Sequence, residues 1–124
     1  MALIDPKHLI RAGIYALAGW GRAIRTEQAF RHEALALPVI VVVLCFIRPG
    51  LIWSVVLVVT WLLIMAFELV NSAIEEAFDL ITKDYNEHVK YGKDMASGAI
   101  LITLVINGIL WVTMLISVYF PEYL

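Results

Sequence analysis

From Leu51 to Phe67 the chain runs without a single charged residue, then continues, with no proline or glycine to stop it, through Glu68, Asn71, Glu75 and Asp79. An apolar run of that length reads as a transmembrane helix. A helix that leaves the oily layer studded with acids constrains the fold and the chemistry together. Two further apolar runs flank it. One spans Ala34 to Ile47 and is closed by Arg48-Pro49-Gly50; the other spans Met95 to Phe120 and is closed by Pro121-Glu122. With 62% hydrophobic and 16% charged residues in 124, a soluble globule of this size could not hide its apolar surface. The excess must face lipid or a very large oligomer interface. Most soluble enzyme folds, disordered tails and disulfide scaffolds are thereby excluded. A formal net charge of −2 gives nucleic acid no electrostatic footing. The lone Cys45 cannot form an internal disulfide and reads as a small core residue.

The segment Pro6 to Gln28 has a different pattern. Leu9, Ile10, Ile14, Leu17, Trp20 and Ile24 recur at helical spacing, punctuated by Lys7, Arg11, Arg22 and Arg25. This predicts a helix lying in the membrane surface, with Asp5 as N-cap and Pro6 in its first turn. Asp5, Lys7, His8 and Arg11 interrupt the apolar positions, so the segment does not read as a signal peptide. The expected fold is an all-α membrane protein of one domain. It has an amphipathic surface helix over about 6–28 and transmembrane helices over about 30–47, 51–80 and 93–120. All but one of the nine Lys and Arg lie before the first span or between the second and third, the exception being Arg48. The positive-inside rule then puts the N-terminus and the longer loop in the cytoplasm, with the short turn and the C-terminus outside. Trp53, Trp111, Tyr119 and Tyr123 suit interfacial anchoring.

On a helix advancing ~100° per residue, with Glu68 as zero, Asn71 falls at about −60°, Glu75 at about −20° and Asp79 at about +20°. They share one stripe, with Glu76 on its margin at about +80°. Glu68 and Glu75 are separated by roughly 10 Å along the axis, so the stripe climbs from the hydrocarbon edge into water. A carboxylate at that edge is costly and is a functional hypothesis by default. Glu68 suits a proton acceptor, and the wetter Glu75 suits Mg²⁺, which takes few protein oxygens and completes its shell with water and substrate phosphates. Glu27 and Glu33 would lie about 240° apart on one helix and so could not act from one face. One of them could join Glu75 at a metal while the other is structural. Lys93 and Asp94 sit where the polar loop enters the third span, and a lysine there can neutralise phosphate. Asp84, Tyr85, Asn86 and His88 offer loop groups for a nucleotide.

Other polar residues have plainer readings. Glu76, Asp84, Glu87 and Lys90 read as solvated surface charges, and Glu27 with Arg31 as a helical i,i+4 pair. Asn107 reads as a helix–helix hydrogen bond, and Ala96-Ser97-Gly98-Ala99 as a close-packing stretch. His8, His32 and His88 lack metal-ligand spacing. Neither G-x-x-x-x-G-K-[ST] nor G-x-G-x-x-G is present.

The stretch Glu68-Leu-Val-Asn71-Ser-Ala-Ile-Glu75 followed by Asp79 closely resembles the signature of the bacterial integral-membrane diacylglycerol kinases, E-x-x-N-[ST]-A-I-E-x-x-x-D. Lys93-Asp94-Met95-Ala96-Ser97 resembles the family's K-D-x-[GA]-S, and Glu27-x-Ala29-Phe30-Arg31-x-Glu33 its E-x-A-F-R-x-E. The order and spacing agree over nearly the whole chain. The resemblance implies a homotrimer in the bacterial inner membrane with active sites between protomers at the cytoplasmic edge. It implies transfer of the γ-phosphoryl group of MgATP to the hydroxyl of diacylglycerol, giving phosphatidic acid. Carried over by position, Glu68 is the general base and Asn71 orients the hydroxyl or the phosphate. Glu27 and Glu75 hold Mg²⁺. Lys93 contacts phosphate, and Asp94, Tyr15 and the Asp84-Tyr85-Asn86 loop bind ATP. Arg22, Arg25, Phe30, Arg31, Glu33 and Ser97 fall on the lipid-substrate side, where Glu33, like Asp79, has a supporting place. Where the family carries further basic residues around the positions of Ala18 and Gly21, this chain has small ones.

A relative sharing these motifs, undecaprenol kinase, phosphorylates a polyprenol; the surface helix and the E-x-A-F-R-x-E segment favour diacylglycerol. A non-enzymatic proton or ion carrier built on Glu68 would leave Lys93-Asp94 and Glu27 without a task, and a structural adaptor would bear the aligned acids as a needless cost.

Overall fold

In the computed structural model, which describes residues 5–123, the chain forms α1 (Pro6–Thr26), α2 (Gln28–Ile47), α3 (Leu51–Ile81), α4 (Glu87–Tyr119) and a final 3₁₀ turn at Pro121–Tyr123. Three of these, α2, α3 and α4, are long and apolar enough to cross a membrane. The Asp5 carboxylate accepts the Lys7 amide hydrogen at 3.0 Å and caps α1, with Pro6 in the first turn as expected. The turn between α2 and α3 is set by backbone geometry. Arg48 caps α2 in the left-handed region (φ 53), and Gly50 adopts φ 97, ψ 162, a conformation open to glycine and strained for other residues.

The helix α4 begins at Glu87, about two turns before the expected position. Hydropathy marks only where a helix enters lipid. The Asn86 side chain accepts the His88 and Val89 amide hydrogens at 2.9 and 3.2 Å, and two i,i+4 contacts carry the helix through its polar start: Tyr91 to Glu87 and Lys90 to Asp94, both 2.7 Å.

The bundle is apolar at one end and polar at the other. Near the α2–α3 turn, Leu44, Leu57 and Met114 form the buried core, flanked by Trp53, Leu110 and Trp111. At mid-height, Asn107 Nδ2 of α4 donates to Thr60 Oγ1 of α3 at 2.7 Å, the helix–helix bond expected of it. Towards the other end, Trp61 Nε1 donates to the Glu33 carbonyl at 3.0 Å and ties α3 to α2. Near the top of α3 and α4, a Cβ added to Gly92 would fall on the Phe78 ring, so the missing side chain makes room for that ring. Within the chain Gly92 packs against a neighbouring side chain, and the space where a Cβ of Gly98 would stand is open.

Only 11–17% of each spanning window is buried within the chain. Cys45 is part of this open surface rather than of the core: it is exposed on the outer side of α2. On α1, Leu9, Ile10, Ile14, Leu17, Trp20 and Ile24 are exposed as well.

Candidate active site

The buried positions of α3 are Leu57, Ile64, Glu68 and Asn71. Steps of this size keep one face of a helix turned inward, so the stripe that forms the core changes from hydrocarbon to acid between Ile64 and Glu68. Glu68 and Asn71 are each 7% exposed. One turn above, Asn71 Nδ2 donates to Glu75 Oε1 at 3.3 Å. Asn71 Oδ1 is buried without a hydrogen-bond partner, as are Ser72 Oγ and Glu33 Oε2. Buried polar atoms are almost always paired; three unpaired ones around one acidic ladder mark a place that a polar group from outside the chain can complete.

The charges of Glu75 and Glu27 are felt at Glu68, and that of Glu68 at Glu33. This corrects the helical-wheel argument that kept Glu27 and Glu33 apart. Glu27 belongs to neither helix. It is an extended residue (φ −98, ψ 113) that ends α1 and caps α2, so the angle of one continuous helix does not apply, and both carboxylates act electrostatically with Glu68. The break is clipped by Arg31, whose Nε and Nη2 donate to the carbonyl oxygens of Ile24 and Arg25 at 3.0 and 3.2 Å. Those are end carbonyls of α1, and a guanidinium fork suits them. Arg31 thus works within the fold instead of pairing with Glu27. Phe30, placed by sequence on the lipid-substrate side, is buried at 3% exposure.

On the opposite flank, Lys93 Nζ of α4 meets Asp79 Oδ1 at the top of the stripe at 2.7 Å, and Asp94 is held by Lys90. An ammonium has three donors, so the Asp79 contact leaves Lys93 able to bind a further anion. Asn86 spends its carbonyl oxygen on the cap of α4, while Asp84 and Tyr85 are exposed in the preceding loop. Tyr15, Arg25 and Ser97 are exposed on α1 and α4.

Between α1 and α3 lies a cleft of about 450 Å³, bordered by Trp20, Arg22, Glu27, Ser72 and Glu76. Of the site residues expected from the sequence, only Arg22 and Glu27 border it; Glu68, Asn71, Glu75, Lys93 and the rest lie outside its lining. Across the cleft, Arg22 Nη2 and Glu76 Oε1 stand 3.6 Å apart. Sequence reasoning set Glu76 aside as a solvated charge. Its only signal was its place on the margin of the stripe, and its partner becomes visible only once α1 folds over α3. Ser72 was likewise passed over, although it sits inside the N-[ST]-A-I-E stretch.

Three helices long and apolar enough to cross a membrane, with an acidic ladder buried at one end and a cleft beside α1, define an all-helical protein of the membrane-spanning class. Residues 14–115 match the model of the family described as prokaryotic diacylglycerol kinase. The chain is 37% identical over 109 residues to the diacylglycerol kinase of Escherichia coli, covering 88% of this chain and 89% of that protein. It is 37% identical to that of a Sinorhizobium species (83% and 74% covered) and 36% identical to that of Haemophilus influenzae (84% and 88%). The chain belongs to the prokaryotic diacylglycerol kinase family.

Proposed function

We infer that this chain is an ATP-dependent lipid kinase that moves the γ-phosphoryl group of ATP to the free hydroxyl of diacylglycerol, giving phosphatidic acid and ADP. The observation that carries the reading is the buried Glu68–Asn71–Glu75 ladder, set at the edge of a membrane span in a chain of this family. Neither the polyprenol kinase nor the ion-carrier alternative is favoured by the relatives described above, each of which is named a diacylglycerol kinase.

Phosphoryl transfer asks a protein mainly for positioning and charge stabilisation. In our reading the lipid enters from the bilayer beside α1 and α3, and the nucleotide comes from water near the start of α4. Glu68 takes the hydroxyl proton as the lipid oxygen bonds to Pγ and the bond from Pγ to the β-phosphate bridging oxygen breaks, with ADP leaving. Asn71, its Nδ2 held by Glu75, stands one turn above Glu68 on the same face and orients the hydroxyl or the phosphate. Lys93 contacts the phosphates. Asp94, Tyr15 and the Asp84-Tyr85-Asn86 loop belong to the nucleotide side. Arg22, Arg25 and Ser97 belong to the lipid side, with Phe30, Arg31 and Glu33 shaping the wall beneath them.

Among the described residues no group of three or more His, Cys, Asp or Glu side chains is arranged to hold a metal by itself. Two carboxylates near one acid, Glu27 and Glu75, suit Mg²⁺, which binds through one or two protein oxygens and leaves its remaining positions to water and substrate phosphates. Bound there with ATP, the ion would neutralise charge on the transferring phosphate.

The remaining parts of the reading follow from surface. Spanning helices with so little buried area suit association with further copies, and a homotrimer with sites shared between protomers meets that need. The exposed apolar row on α1 suits the surface of the inner membrane. Lys and Arg clustered in α1 and the α3–α4 loop support a cytoplasmic position for that end, with the C-terminus outside.

The test is transfer of radiolabelled phosphate from ATP with Mg²⁺ to short-chain diacylglycerol by purified protein in detergent micelles, beside a parallel reaction with undecaprenol. Labelled phosphatidic acid is expected. Labelled polyprenyl phosphate alone, or no transfer to either lipid, would overturn the reading.

A further inference from the structure

We propose that Glu76 is a positioning residue for lipid binding: its ion pair with Arg22 sets how far α1 stands from α3 and so the width of the cleft between them. The inference rests on the lipid-kinase reading above. It starts from how weakly α1 is held. Ala23 is its one buried side chain among the described residues. Its C-terminal end is clipped by Arg31, next to the single extended residue Glu27. A clip at one end of a helix fixes its attachment and leaves its tilt to be set elsewhere. Among the described residues, Arg22–Glu76 is the one ion pair joining α1 to α3, and it lies across the cleft that Trp20, Glu27 and Ser72 also border.

What the cleft can admit depends on that width. Ser72 Oγ is buried on the α3 wall without a hydrogen-bond partner. An acceptor or donor there can be met by a polar lipid head only if α1 stands back far enough to admit it and close enough to keep water out. Glu68, Asn71 and Glu75 all belong to α3, and Glu27 sits at the clipped end of α1, so a change in the tilt of α1 leaves their mutual geometry intact. Loss of the pair therefore weakens lipid binding and spares the chemical step.

The size of the effect is bounded by exposure. The two side chains are 71% and 66% exposed and 3.6 Å apart. Such pairs are weak and are screened as the Debye length falls, so the expected change is about two- to fivefold and confined to low salt.

The experiment measures kcat and KM for short-chain diacylglycerol at saturating MgATP, in nonionic micelles, from low to high salt. It compares the unmodified protein with Glu76→Gln, Glu76→Asp and Glu76→Lys. For the unmodified protein, KM should rise with salt. For Glu76→Gln it should start about two- to fivefold higher and be flat, with kcat held. Glu76→Asp should restore most of the salt slope. Glu76→Lys, which sets like charges face to face, should have the highest KM at low salt and improve as salt is added. A packing role alone would not reverse the sign of the salt response. The proposal is overturned if Glu76→Gln matches the unmodified KM at low salt, if the loss falls on kcat, or if Glu76→Lys shows the same slope as the unmodified protein. Absence of turnover in the unmodified protein would instead refute the lipid-kinase reading itself.

Discussion

Replacing Glu68 with Gln should separate catalysis from stability. The side chain is 7% exposed and stands beside two further carboxylates, Glu75 and Glu27. Gln has the same shape and removes only the charge and the ability to take a proton. A positioned general base contributes about 10²–10⁴ in rate, which is about 2.7–5.4 kcal/mol of transition-state stabilisation. The loss should fall on kcat, because the lipid and nucleotide contacts stay in place. The fold should respond in the opposite direction. Like charges repel, and removing the buried one of these three relieves that repulsion, so the melting temperature in micelles should hold or rise. Initial rates over a range of lipid concentrations, with circular-dichroism melting of the same preparation, measure both quantities. A kcat within threefold of the unmodified protein would refute the assigned base. A large fall in Tm alongside lost activity would show that Glu68 serves packing instead.

Glu27→Gln and Glu75→Gln should each raise the Mg²⁺ concentration for half-maximal rate at least about tenfold, with partial recovery at high Mg²⁺; an unshifted Mg²⁺ titration would exclude them as ligands. Lys93→Gln should raise KM for ATP by about 10–100-fold, the worth of a charged hydrogen bond. Asp79→Asn, which only loosens the lysine, should do so less; equal effects would mean that the pair is structural. Gly92→Ala should destabilise the bundle by about 1–3 kcal/mol through overlap with Phe78, read as a lower Tm, and Phe78→Leu in the same chain should recover most of it.

Much of this architecture can be read from residues alone, and the parts that cannot share a cause. The α2–α3 turn is legible because Arg48-Pro49-Gly50 combines a residue that cannot continue a helix with one that tolerates φ 97. The acidic stripe is legible because the azimuth of residues on one helix depends on nothing beyond the helix. The early start of α4 is not, because caps and i,i+4 contacts hold it where hydropathy has no signal. The convergence of Glu27 and Glu33 on Glu68 was hidden by a backbone break at Glu27 that no proline or glycine announces. Arg22 and Glu76 were illegible as a pair for a deeper reason: they lie on different helices, and only the fold sets the distance between them.

One rod carries both the greasy seam through Leu57 and Ile64 and the chemical groups above it. Its length between those points is therefore as tightly specified as the groups themselves. Inserting a single residue there would swing Glu68, Asn71 and Glu75 by ~100° and shift them ~1.5 Å, carrying them off the inward face while every side chain remained present. Descendants of such a chain can trade one oily residue for another along this helix with little harm, but they cannot lengthen or shorten it by one.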